Sequence, residues 1–192
     1  LTEKTKPIRA VAVTLTLALA PPAARADGEF YQLDLGEDTT TAVISVERDR
    51  LSYGMVFSDY TGPEDLNLTA SYKFTLGTPV TFRAGPAVQL EGLDTVKGGI
   101  RLVAEHYQPT SFGSIFLLGE VTTIDRGYFA LAAIGFDKPD VTFEFSYLGD
   151  DDGFRDTVAA VAFGIPKTKA SFRAGYKFDS EESFVGISIN TF

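Results

Sequence analysis

Apolar and polar positions alternate along most of this chain with a period of two. Leu66, Leu68, Ala70, Tyr72, Phe74 and Leu76 share one parity, while Asn67, Thr69, Ser71, Lys73 and Thr75 share the other. Successive side chains of an extended strand point to opposite faces, so this segment reads as a strand with one apolar, aromatic face and one polar face. The pattern returns with Phe82, Ala84, Pro86, Val88 and Leu90 set against Thr81, Arg83, Gly85, Ala87 and Gln89. It returns again with Val141, Phe143, Phe145 and Tyr147 against Thr142, Glu144 and Ser146, and with Phe172, Ala174, Tyr176 and Phe178 against Arg173, Gly175 and Lys177. Downstream of residue 26 no window reaches the roughly twenty apolar residues of a transmembrane helix, and no long stretch repeats at about 3.6.

Turn residues divide the alternation into twelve predicted strands, near residues 29–36, 40–48, 51–59, 66–76, 79–90, 97–107, 112–123, 127–136, 140–148, 156–164, 168–178 and 183–192. Lengths of roughly 8 to 12 residues suit a tilted membrane-spanning strand better than the shorter strands of soluble sheets. An even count returns both termini to one side of a closed barrel. The third, fifth and ninth connections (residues 60–65, 91–96 and 149–155) read as long. The fourth, eighth and tenth, around Gly77-Thr78-Pro79, Asp137-Lys138-Pro139 and Ile165-Pro166-Lys167, read as tight. Long loops on one side and short turns on the other are expected of a membrane barrel.

The predicted fold is therefore all-β, a transmembrane antiparallel meander β-barrel of twelve strands. Eight to twelve strands are possible, and the first two are the least certain of the twelve, since Gly36 to Thr41 could be a bulge inside one irregular strand, which would change the count. A soluble two-sheet sandwich is the alternative, since alternation alone does not say whether lipid or a second sheet covers the apolar faces. Tyr31, Tyr53, Tyr107, Phe112, Tyr128, Tyr147, Tyr176 and Phe178 fall near strand ends, where interfacial girdles belong.

The N-terminal stretch has a different character. Lys4, Lys6 and Arg9 form a basic region, Ala10 to Ala20 is mostly apolar, and Ala24-Arg25-Ala26 matches a signal-peptidase site. Residues 1–26 are thus read as a signal peptide cleaved before Asp27, and residues 27–192 as the barrel. From Asp27 onward the chain carries 13 basic and 25 acidic side chains, a formal charge of −12 that disfavours nucleic acid as a partner. The absence of cysteine excludes disulfides, thiolate metal centres and cysteine nucleophiles.

With its signal-like leader, amphipathic strand meander, acidic connections and terminal Phe192, the chain resembles the bacterial outer-membrane β-barrel superfamily of porins and small barrels. The resemblance implies export to the bacterial outer membrane, a surrounding shell of outer-membrane lipid, and insertion by the barrel assembly machinery, which in that superfamily reads a C-terminal aromatic residue. The last strand puts Val185, Ile187 and Ile189 on its apolar parity and Phe192 on the other; a bulge near Asn190 to Thr191 could restore the phase.

In such a barrel the opposite parity faces a lumen. The lumen-lining candidates are Glu47, Lys73, Arg83, Lys97, Arg101, Glu105, Glu120, Glu144, Arg173 and Lys177. Partly wet, they would line a pore; paired, they would lace a closed interior. Asp59, Glu64, Asp65, Asp94, Asp150, Asp151 and Asp152 are expected to form an acidic outer rim, with Glu37, Asp38, Asp179, Glu181 and Glu182 alongside. Such a rim would enrich cations at a pore mouth.

The expected function is a narrow passive diffusion channel for small solutes or ions. The alternative is a structural or adhesion barrel with a closed, ion-paired interior. A lipid-modifying enzyme ranks third: His106 lies near Ser111 and Ser114 in sequence, but no nucleophile elbow surrounds either serine. No catalytic residue, cofactor or metal is assigned. Neither a Walker motif nor G-x-G-x-x-G occurs, and Asp150-Asp151-Asp152-Gly153 lacks the spacing of an EF-hand loop.

Overall fold

The computed structural model describes residues 27–59, 64–77 and 79–192. The stretch read as a signal peptide, and residues 60–63 of the third connection, lie outside the described residues. The chain forms twelve strands: β1 (Gly28–Leu35), β2 (Thr40–Arg48), β3 (Leu51–Asp59), β4 (Asp65–Thr75), β5 (Val80–Glu91), β6 (Thr95–Pro109), β7 (Gly113–Thr122), β8 (Tyr128–Asp137), β9 (Asp140–Gly149), β10 (Arg155–Gly164), β11 (Ala170–Lys177) and β12 (Glu182–Asn190). Each pairs antiparallel with its sequence neighbours, and β1 pairs with β12 to close the barrel. Strands about 4.8 Å apart and tilted about 40° close twelve into a ring about 24 Å across.

The two-residue period decides what each face meets. On β6, Val96, Ile100 and Leu102 are 68%, 58% and 51% exposed, while Val103, of the opposite parity, is 4% exposed. Phe143 and Phe145 on β9, Phe172 on β11 and Val185 on β12 are likewise more than half exposed. A sandwich would bury these side chains against a second sheet; here they form a continuous apolar belt on the outside of a closed barrel, which suits hydrocarbon. Aromatic pairs gather at both ends of the belt. Phe112, Phe136 and Phe143 pack in a chain at the end holding the termini, and Tyr128–Tyr147 and Tyr176–Phe178 pack at the far end.

β5 carries Pro86 at its middle, facing out. Lacking an N–H, proline interrupts the ladder, and the β4–β5 register runs directly from Thr69↔Ala87 to Tyr72↔Ala84. The Ala70 carbonyl closes onto Gly85 there, leaving no room for a side chain.

Three expectations need correction. The fifth connection is short, residues 92–94, because β5 and β6 zip up to Glu91↔Thr95. The tenth connection, residues 165–169, is as long as the ninth, so the contrast in loop length between the two ends is slight. No bulge precedes Phe192: Thr191 donates its N–H to the Glu29 carbonyl in unbroken register, and the Phe192 ring lies over Gly28. Gly36 to Thr39 is a true turn closed by the Gly36 N–H on the Thr39 carbonyl, so β1 and β2 are separate strands.

Candidate functional site: a charged lumen

All ten lumen candidates sit on inward-facing strand positions, and the barrel's stagger brings charges from distant strands together. Near the end that holds the termini, Glu47 of β2 binds both Lys73 of β4 and Arg83 of β5. Arg83 also reaches the Ser52 hydroxyl of β3 and takes Glu105 of β6 at 2.5 Å. At mid-height Arg101 holds Glu120 through two hydrogen bonds, each 2.5 Å, a fork geometry that only arginine offers a carboxylate.

On the opposite wall Arg173 of β11 links Glu144 of β9 at 2.6 Å to Asp34 of β1 at 3.1 Å. The guanidinium crosses over Gly186 of β12, where any side chain would collide with the Asp34 carboxylate. Asp34 in turn accepts from Gln32 Nε2 at 2.6 Å.

Two further clusters stand at the far mouth. Lys97 binds Glu91 at 3.0 Å and Asp125 at 2.6 Å. Asp125 belongs to the seventh connection, residues 123–127, which docks on β6 through the Thr123 N–H to the Ile100 carbonyl. That docking turns Ile124 inward over Gly99, where it is only 7% exposed. Across the mouth Glu182 accepts the N–H groups of Asp38 and Thr39 at 2.7 and 3.0 Å and the Thr39 hydroxyl at 2.5 Å, with the Lys177 ammonium on the same hydroxyl. Glu182 is therefore a buried latch across the β1–β12 seam and not a rim residue.

The remaining rim candidates divide. Asp59 ends β3 and Glu64 immediately precedes β4. Asp94 is exposed in the fifth connection, and Asp151 and Asp152 are exposed in the ninth, where Asp151 pairs with Arg126 at 3.2 Å. Asp150 turns back to accept the Phe154 N–H at 3.0 Å. Asp65 points inward beside Glu91, with one carboxylate oxygen buried and unbonded among the described residues.

The connections of the far end carry ten acidic side chains and one basic one, Arg126. Those of the end holding the termini carry Asp49 against Arg50, Lys138, Lys167 and Lys169. The barrel is thus polarised along its axis.

Sequence reasoning missed Asp34, Asp65, Glu91, Asp156 and Glu182 as inward residues. Asp34 between the outward Leu33 and Leu35 was the signal available, since a lone carboxylate in an alternating strand marks the wet face. His106 projects outward, its Nδ1 3.0 Å from the Pro79 carbonyl, whereas Ser114 lies on the inward parity of β7.

A closed antiparallel meander with an apolar outer belt and a charged interior is a membrane-spanning β-barrel. No protein-family model and no curated protein matches the chain. Among solved structures, a KdgM porin is similar at 15% identity over 86% of this chain and 99% of that one, with a TM-score of 0.53. A KdgM porin in complex with disordered oligogalacturonate is similar at 14% identity over the same shares, with a TM-score of 0.54. A mutant of the Rh. blastica porin covers 81% of this chain and 56% of its own at 11% identity, with a TM-score of 0.42. The likeness is one of fold.

Proposed function

We propose that this chain is a passive diffusion channel of the bacterial outer membrane, narrow and cation-favouring, that carries small solutes or ions. The observation that carries the reading is that the buried residues of the barrel are mostly polar or charged, Asp34, Glu47, Ser52, Ser71, Asp156 and Arg173 among them, so the interior is not a continuous apolar core. A closed structural barrel of this width would need its interior packed solid. Instead, Lys73, Arg83, Arg101, Glu105, Glu120 and Glu144 are paired and yet keep side-chain exposures of 13% to 24%. That combination describes ion pairs lying along the wall of a wet lumen.

Cation preference follows from the sign of the charge. Inward carboxylates outnumber the six inward basic residues, and the far end is acidic, so the field along the axis draws in cations. The oligogalacturonate held by one solved neighbour is a string of carboxylates. Here the inward arginines are already occupied by carboxylates of the chain itself, so acidic saccharides are not the proposed solute. The acidic end faces outward and the end with the termini faces the periplasm, with residues 1–26 removed on export, outer-membrane lipid on the belt, and insertion by the barrel assembly machinery.

The test is single-channel conductance of refolded residues 27–192 in a planar bilayer, with heat-modifiable gel migration reporting folding. Stepwise conductance whose cation preference falls in Asp150→Asn/Asp151→Asn/Asp152→Asn supports the channel. A folded, inserted barrel without conductance defeats it and favours the closed structural barrel.

A further inference from the structure

The lumen has two unlike walls. The inward positions of β3 and β4 are mostly hydroxyls and amides, such as Ser52, Ser71, Thr69 and Asn67. Those of β7 to β10 mix polar and apolar residues, and four of the apolar ones, Leu118, Phe129, Leu131 and Leu148, fall together in one patch. Leu118 pairs directly with Leu131, and Phe129 pairs with Leu148. Each of these four side chains is only part-buried. Apolar surface left open toward a pore is unfavourable unless something apolar uses it.

Three carboxylates border this patch: Glu120 pairs directly with Phe129, Asp156 pairs directly with Leu148, and Glu144 lies two inward positions from Leu148 along β9. Following the register inward from β7, the row reads Phe116, Ala133, Glu144, Ala160 and Gly175. The small residues Ala133 and Ala160 flank Glu144, with Phe116 beyond Ala133 on one side. On the other side the Phe184 ring lies over Gly175. Arg173 takes Glu144 through Oε2, and the Glu144 side chain remains 23% exposed.

We propose that the lumen is selective for amphipathic organic cations, which lay an apolar or aromatic group on the Leu118, Phe129, Leu131 and Leu148 wall and bring an ammonium to Glu144. This rests on the channel reading above and names its solute class. Charge complementarity sets the sign, because an organic anion would meet an interior rich in carboxylates. The apolar patch sets the preference for a ring or alkyl group over a bare ion, since removing apolar surface from water is favourable.

The experiment measures block of potassium current through the reconstituted channel by benzylammonium, methylammonium and benzoate. Benzylammonium is expected to block at a concentration at least about tenfold below that of methylammonium, with benzoate weaker than both. In Leu118→Ser/Leu131→Ser the gap between the two ammonium ions is expected to close, each judged against that variant's own current. In a conducting channel, equal block by the two ammonium ions, or stronger block by benzoate, overturns the proposal. A folded barrel with no current overturns the channel reading instead. Calorimetric titration of the same three probes into the micelle-held barrel then judges the wall: tighter benzylammonium binding supports it, and equal binding defeats it.

Discussion

Asp34→Asn isolates the ion pair that ties the closing seam of the barrel. Arg173 and Asp34 are 5% and 7% exposed and 3.1 Å apart, and their bond spans β12 from β11 to β1. At an effective dielectric of about 20, unit charges at that separation attract by about 5 kcal/mol, most of it offset by the cost of removing both from water. Asparagine keeps the volume and one acceptor oxygen, and Arg173 keeps Glu144 at 2.6 Å. The loss is therefore that of a charge-assisted hydrogen bond, about 2–3 kcal/mol. Arg173→Met leaves both Asp34 and Glu144 without their guanidinium and is expected to cost about 3–5 kcal/mol. In the double variant the Asp34 charge has nothing left to lose, so the two costs fall short of adding by about 2 kcal/mol. The assay is equilibrium urea unfolding of the barrel in lipid vesicles, followed by far-ultraviolet circular dichroism because the chain has no tryptophan. Additivity within about 0.5 kcal/mol would refute the coupling and with it the seam reading.

Glu182→Gln is expected to cost about 1.5–3 kcal/mol in the same assay, because three donors of the first connection lose a charged acceptor; a change below about 0.5 kcal/mol would sink the latch. Gly85→Ala drives a methyl into the Ala70 carbonyl and should cost about 3 kcal/mol or fail to yield the heat-modifiable band, whereas Gly98→Ala, with open space around it, should match the parent. Lys97→Met frees Asp125, so the seventh connection should loosen, carry Ile124 off Gly99 and raise single-channel conductance; unchanged conductance would mean that Ile124 does not narrow the mouth.

Parity made the fold legible. On β4, β5, β9 and β11 the alternation is strict, and a one-residue slip would turn every apolar side chain from lipid to lumen, so register and faces follow from sequence together. The ten inward candidates follow from the same rule. Their partners do not, because pairing depends on the stagger that closure imposes. Glu47 meets Arg83 three strands away, and Asp34 meets Arg173 across Gly186, contacts separated by 36 and 139 residues in the chain. The apolar inner wall was hidden for a related reason. Phe116, Phe129, Leu131 and Leu148 flank outward apolar residues, so β7 and β8 read as hydrophobic on both faces and their alternation carries little information. A strand that is apolar on both faces has something apolar to meet on each. For the outer face that is lipid, and for the inner face the solute proposed here fills the same role.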